Sequence, residues 1–495
     1  MVDVEPARAD ADAAVRKPGS VFDFDGDGYA DLAAGMPDRS VDHRELAGAV
    51  EIVYGSSRGL AASASDFLTQ NSRGIKGRAR TWYFVGQSVT SGDFDGDGYA
   101  DLVTRAGNDA LVVYGGKGGL TTRDQLLHVN RYGLGLISIS SFPTASGDFN
   151  GDGFADLVVS DRGYEDESGR LVVFPGSRTG LLTTKGIELD RDTPGVPGVK
   201  MIEDNFGAQI AVGDVTGDGY ADLAATSTDG RDEDDEVPDR EQTGPVIHLF
   251  PGSASGLRAV GSTIVSTQDL TPDVINFHPE SGFGAAVISD LDGDGFGDLL
   301  SGDSGAGAGA GCRDGCGVVV VIPGSAAGLV RQDRQIWNQN SHGVPGTAER
   351  SDGFGATLAV GDLNADPYPD LAIGVPGESL GSTKRAGAVN VLYGSPTGLS
   401  GAGAQVWNQS SPTVKGKPRR GDQFGAGSLR ILDFGKGRPA DLAVHSPYDR
   451  PGGSVNVLYG SSHGLTARDQ LWRSSSRGLA GRTSHPIGGF GGECC

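Results

Sequence analysis

The sequence predicts an all-β protein: a seven-bladed β-propeller of four-stranded antiparallel blades, with calcium loops and a ring closed by the C-terminal segment. Three observations predict it. A nine-residue acidic stretch recurs seven times, at intervals of 55 to 76 residues. Between the copies run short segments of alternating apolar and polar residues separated by Gly-rich turns, and helical periodicity is nearly absent. The chain also ends on the opening of a unit that it does not finish, while its first unit lacks that opening. Seven sheets in one chain hide most of their edges by radial closure. A linear solenoid needs capping units instead, and the sequence offers none.

The acidic stretch is first met as Asp23-Phe24-Asp25-Gly26-Asp27-Gly28-Tyr29-Ala30-Asp31. Oxygen side chains at its first, third, fifth and ninth positions, with the backbone carbonyl at the seventh, suit a hard cation such as calcium. Glycines at the fourth and sixth positions let the backbone turn with positive φ, so that alternate side chains converge. An EF-hand loop closes with a Glu at its twelfth position between helices, whereas here the ninth-position Asp leads at once into an apolar, strand-like run. Acidic surface turns are the plainer alternative, but a turn does not require oxygen side chains at fixed odd positions. The expected ligands in the first loop are Asp23, Asp25, Asp27, Tyr29 and Asp31, and in the second Asp93, Asp95, Asp97, Tyr99 and Asp101. The third offers Asp148, Asn150, Asp152, Phe154 and Asp156, and the fourth Asp214, Thr216, Asp218, Tyr220 and Asp222. The fifth offers Asp290, Asp292, Asp294, Phe296 and Asp298, and the sixth Asp362, Asn364, Asp366, Tyr368 and Asp370. Tyr and Phe serve through their carbonyls. About six Ca2+ sites are thus expected. The sixth is the least secure, because Ala365 and Pro367 replace the glycines. The seventh copy, from Asp433 to Asp441, carries Gly435 and Gly437 at the third and fifth positions and is expected to hold no metal.

Each unit repeats one plan. A strand enters the acidic loop, a second leaves it, and a variable connection leads to a third strand that ends in a Gly-Ser-type turn, as in AVNVLYGSPTGL at 388–399. A fourth strand follows, marked by Trp337 in QIWNQ and Trp407 in QVWNQ. Blades 4 to 7 open with Phe206-Gly207, Phe283-Gly284, Phe354-Gly355 and Phe424-Gly425, and blades 1 to 3 show no clear counterpart ahead of their loops. Phe490 follows Trp472 by 18 residues, where Phe354 and Phe424 follow their tryptophans by 17. A terminal strand that completes blade 1 explains both the unfinished end and the missing start. The domain reading is a flexible segment at 1–18, the propeller at 19–493 and a terminal Cys pair at 494–495.

Glycine makes up 82 of the 495 residues without a collagen period, a surplus that belongs to tight turns. The formal charge of −23 argues against nucleic acid or an anionic membrane as partner, and six bound divalent cations would roughly halve it. No apolar run is long enough to span a bilayer as a helix, and no signal peptide opens the chain. Dependence on calcium instead points to a secreted or surface-exposed protein. Cys312 and Cys316 flank a short turn and permit a small disulfide loop, while the redox state of Cys494 and Cys495 stays open.

The Phe-Gly pairs, the Asp-rich loop and the strand ending in Gly-x-Pro (Gly35-Met36-Pro37, Gly374-Val375-Pro376) together resemble the FG-GAP repeats of integrin α-subunit propellers and their bacterial relatives. The resemblance covers residues 19–493. It implies metal loops on one face and ligand-binding loops on the other. The function it implies is a calcium-stabilised adhesion or binding module for an extracellular protein or carbohydrate, without catalysis. The competing expectation is a polysaccharide-acting lyase or hydrolase, or a lectin, with its site in the central funnel. The variable connections differ most in blades 4 and 5, and the acidic run 232–236 suggests contact with a basic surface or a cation-bridged glycan. Other motifs carry less. GSSRG around Ser57 and GSSHG around Ser462 sit in the turn that every blade has, not at a strand-to-helix elbow. Arg420-Gly421-Asp422 places its Asp where Asp204 and Asp352 also precede Phe-Gly, so Asp422 belongs to the repeat. The eight histidines form no metal pair.

Overall fold

A computed structural model describes residues 21–128, 143–164, 167–228, 245–266, 270, 283–307, 312, 314–435, 437, 439–466, 468–482 and 489–491. Seven antiparallel sheets follow one another along the chain as the blades of a propeller, and helix is nearly absent among the described residues. Blade 2 shows the plan: Val89–Gly92, Asp101–Ala106, Asp109–Val113 and Asp124–Leu127 pair in sequence order. The second strands begin at the last Asp of each acidic loop (Asp101, Asp156, Asp222, Asp298, Asp370 and Asp441) or one residue after it, at Leu32 in blade 1. Their burial is complete over runs such as Asp222–Ser227, because both sheet faces are covered by neighbouring blades. Six blades have four strands. Blade 1 has three among the described residues, Leu32–Met36, Ala49–Val53 and Ser65–Leu68.

The first strands of blades 2 to 7 pack side by side around the axis. They surround a cavity of about 400 Å³, with Val21 and Phe22 on the blade 1 side. Strand direction alternates within a blade, so the acidic loops and the Gly-Ser turns share one face. The connections between second and third strands, and those from blade to blade, lie on the other.

Two hydrogen-bond systems join the blades. On the loop face, the N–H at the eighth loop position donates to the first Asp carbonyl of the preceding loop. Ala100 reaches Asp23 at 2.9 Å, Ala155 Asp93 at 2.9 Å, Ala221 Asp148 at 3.0 Å, Gly297 Asp214 at 2.7 Å and Ala440 Asp362 at 2.9 Å. Ala30 reaches Asp433 at 2.7 Å, linking blade 1 to blade 7. Between the fifth and sixth loops the belt is interrupted, because the eighth residue is Pro369 and has no N–H.

On the opposite face the Phe-Gly pairs do the joining. Phe206, Phe354 and Phe424 donate to Ser168, Cys316 and Ala386 of the preceding blade at 3.0, 2.9 and 2.9 Å. Gly355 and Gly425 then donate to second-strand carbonyls, Gly374 and His445. Blade 2, which lacks a Phe-Gly, carries a Val-Gly counterpart. Val85 donates to Ala47 at 3.1 Å, and Gly86 has the same positive φ (87°) as Gly207 and Gly425 (83° and 86°). At the other end of the chain, Phe490 donates to Gly452 at 3.0 Å and Gly491 to Gly35 of the blade 1 second strand at 2.8 Å. Phe490 is fully buried against residues of blades 1 and 7.

Cys312 and Cys316 are joined by a disulfide. Asp422 of the Arg-Gly-Asp sequence is buried and accepts the Arg419 N–H at 2.7 Å, which suits a loop-holding role. The N-terminal segment 1–18, the acidic run 232–236 and Cys494–Cys495 lie outside the described residues.

Candidate metal loops

In every copy the ninth Asp is buried and anchored. Asp31 accepts the Phe24 N–H on one oxygen and the Gly55 N–H on the other, both at 2.8 Å. Asp101 does the same with Phe94 and Gly115 at 2.9 Å each, and Asp370 with Leu363 and Gly394 at 2.8 and 3.1 Å. Asp156, Asp222 and Asp298 repeat the pattern. So does Asp441 of the worn seventh copy, with Phe434 at 3.1 Å and Gly460 at 3.0 Å. This carboxylate ties the loop to the turn after the third strand of its own blade. The role explains why the seventh copy keeps its last Asp after losing the third and fifth.

The first Asp gathers loop amides. Asp23 accepts from Gly26, Asp27 and Gly28 at 2.8, 3.1 and 3.0 Å. The sixth-position glycine donates to the first Asp in all of the first five loops, at 2.9 to 3.0 Å. Its φ there lies between 86° and 91°, as the sequence reading required. Pro367 takes that position in the sixth loop, so Asp362 loses the corresponding bond. Ala365 keeps the positive φ of the fourth position, at 65°. The glycines at that position in loops 1 to 5 lie under the seventh-position ring of the next blade. A Cβ on Gly26 would meet the Tyr99 ring at 2.6 Å, and one on Gly96 the Phe154 ring at 2.6 Å. The blade that follows Ala365 carries Pro439 in place of that ring, which leaves an alanine tolerable.

Three loops bring acidic oxygens within 4.8 Å of one another: Asp23, Asp25 and Asp27; Asp93, Asp95 and Asp101; Asp290, Asp292 and Asp294. The third, fourth and sixth loops have Asn150, Thr216 and Asn364 at the third position and so present fewer carboxylates. In the fourth loop the Thr216 hydroxyl is buried without a hydrogen-bond partner, an oxygen suited to a cation. In the sixth, Asn364 donates to Asp366 at 2.7 Å. Burial drives the anchoring carboxylates upward, against the pull of their backbone donors: Asp31 and Asp101 to about 8, Asp156 and Asp370 to about 7, and Asp298 to about 6. Neighbouring loop carboxylates add to the shift. These are acid-rich pockets short of positive charge, and the donor set fits a hard divalent cation.

Sequence reasoning missed one participant. Arg123, at the start of the fourth strand of blade 2, pairs with Asp95 and lies over the Tyr114 ring at 3.9 Å. It places a positive charge on a candidate ligand of the second loop. The signal was an Arg just ahead of the fourth-strand Asp in TTRDQLL, recurring as Arg468 in TARDQLW.

With a belt of Asp-rich loops on one face and variable loops on the other, the chain is a seven-bladed propeller with candidate cation loops. FG-GAP repeats are found in three of its segments. The FG-GAP repeat family model matches residues 206–246 and 354–392, and an FG-GAP-like repeat model matches 93–159. Phosphatidylinositol-glycan-specific phospholipase D of Bos taurus is 31% identical over 232 residues, 46% of this chain and 25% of that protein. Integrin alpha-V of Gallus gallus is 28% identical over 234 residues, 44% of this chain and 20% of that protein. The matches thus span a quarter or less of these relatives. A structure of an Agrocybe aegerita lectin that recognises non-reducing terminal N-acetylglucosamine aligns over 90% of both chains with a TM-score of 0.49 and 14% identity.

Proposed function

We propose that this protein is a calcium-stabilised binding module, extracellular or surface-exposed, that engages a protein or carbohydrate ligand through the loops opposite its metal face. The observation that carries this reading is the division of labour between faces. Every acidic loop is locked into its own blade by its buried ninth Asp, and the backbone bonds of the loop belt join it to the neighbouring blade in all but one of the junctions, so cations there would stiffen the disc. The opposite face holds the connections that differ from blade to blade, where specificity resides in a repeat fold. Resemblance to integrin α-subunits supports an adhesive role at the cell surface.

A funnel enzyme is less well supported. The cavity on the axis is lined mainly by small and aliphatic side chains, with Thr90, Ser91, Thr144 and Ser146 as polar members and Arg430 as the charged one. Glycoside hydrolysis generally needs two carboxylates flanking the bond, and the described residues of this lining provide none. A glycan and protein array probed with and without chelator tests the proposal. Capture that disappears on chelation and returns with calcium is expected, and capture indifferent to both would contradict it.

A further inference from the structure

Residues 67–92 contain Arg73, Lys76, Arg78 and Arg80 and no acid, in a chain of formal charge −23. The segment connects blade 1 to blade 2 on the face opposite the metal loops. Within it stands the most exposed large aromatic ring among the described residues of blades 1 and 2, Trp82, 57% exposed. Its backbone has φ of 68°, a conformation costly for a bulky side chain.

The other blades show what this position ordinarily holds. Counting back three residues from Phe206, Phe354 and Phe424 gives Glu203, Ser351 and Gly421, all with positive φ (58°, 69° and 82°). In blade 2 the same count from Val85 gives Trp82. The loop geometry is common to these blades, and only here does it lift an indole off the rim. The Trp82 N–H donates to the Glu45 carbonyl at 3.1 Å, and the ring sits edge-on to the buried Phe84 at 6.0 Å. Tyr83 follows, half-buried, with the exposed Arg80 guanidinium 5.7 Å from its ring centre. Arg78 is exposed as well. Lys76, by contrast, is engaged with Asp124.

We propose that this aromatic and basic loop, 78–84, binds an acid-bearing sugar unit of a glycan. The inference rests on the binding-module reading and names its surface and ligand class. The Trp82 face offers a flat apolar platform to the C–H face of a pyranose ring. Arg78 and Arg80 supply forked donors for a uronate carboxylate or a sulfate on that ring. The cationic patch is small and lies on a strongly acidic protein. Long polyanions such as nucleic acid, whose binding scales with the number of phosphates neutralised, are therefore disfavoured. A short saccharide that stacks and pairs at one place suits it.

The test is calorimetric titration of the full chain with oligogalacturonate and chondroitin sulfate hexasaccharides, against maltohexaose, hexaglutamate and hexathymidylate. The acidic saccharides are expected to bind, and the other probes at least tenfold more weakly. Trp82→Gly should weaken saccharide binding about tenfold or more. It should leave the melting temperature unchanged or raised, because glycine relieves the positive φ. Arg78→Ala and Arg80→Ala should each weaken binding several-fold and flatten its salt dependence. Equal binding of hexaglutamate or hexathymidylate with the same Trp82 dependence would overturn the ligand class. Saccharide binding that survives both Trp82→Gly and Arg80→Ala would overturn the surface while leaving the binding-module reading in place. Failure of every acidic saccharide, when array capture by the wild type persists, would overturn this inference alone.

Discussion

Replacing Asp441 by alanine separates what the acidic repeat does for the fold from what it does for a metal. The seventh copy keeps Asp433 and Asp441 but has no oxygen side chain at its third or fifth position, so on this account its ninth-position carboxylate has a structural task. Asp441 is 1% exposed and receives the Phe434 and Gly460 N–H groups at 3.1 and 3.0 Å. Alanine would leave both donors buried without a partner, at about 1–3 kcal/mol each, or about 2–6 kcal/mol in all. Asparagine retains one acceptor oxygen and turns a donor toward the second N–H, so it should cost about half as much. Urea unfolding followed by circular dichroism, with and without chelator, measures both. The expected loss for Asp441→Ala is the same in the two conditions. A loss below about 1 kcal/mol would refute the anchoring argument, and one that appears only with calcium would give the seventh loop a cation.

Three further outcomes follow from particular contacts. Arg123→Ala removes the positive charge held against Asp95 and should tighten cation binding at the second loop several-fold in a terbium luminescence titration; weaker binding would contradict the competition. Phe490→Ala should cost about 3–5 kcal/mol, as for a buried core Phe, if the C-terminal segment closes the ring as proposed; a melt indistinguishable from wild type would leave closure to the bond between Ala30 and Asp433. His445 lies wholly buried beside Gly491, and burial pushes it down to about 4. A folded-state value below the unfolded 6.5 means stability that is present above pH 6.5 and lost as pH falls toward 4, by up to about 3 kcal/mol. The stability difference between wild type and His445→Gln should shift by that amount across the window, and a flat difference would show the imidazole to be already protonated or exposed.

The fold was legible because its two signals, the acidic loop and the alternating strands, repeat seven times, and repetition averages out local ambiguity. The Val85-Gly86 counterpart escaped notice because recognition relied on the aromatic residue. What the joint needs is a buried apolar side chain followed by a glycine with positive φ, and the spacing of eight residues from Val85 to Asp93 matches that from Phe206 to Asp214. The loop glycines were read correctly as points of positive φ. Their second constraint, close approach of a ring from the next blade, depends on a residue more than 60 positions away, as with Gly26 and Tyr99, and no local pattern reveals it. The ninth Asp was read only as a ligand. Its two backbone bonds become visible only once the loop is set against the turn that follows the third strand. Trp82 was hidden for the opposite reason: it departs from the repeat, and a reading built on what recurs passes over what does not. Arg123 does recur, as Arg468, but its pairing with Asp95 depends on a loop 28 residues away.

Calorimetric titration of the chelated protein with calcium tests the central claim most directly. The account predicts six sites, weakest at the loop holding Pro367, with a melting temperature that rises as they fill. A stoichiometry of zero, with no change in melting, would mean that the loops are turns held by their own amides; a stoichiometry of seven would contradict the separation of anchoring from ligation on which the account is built.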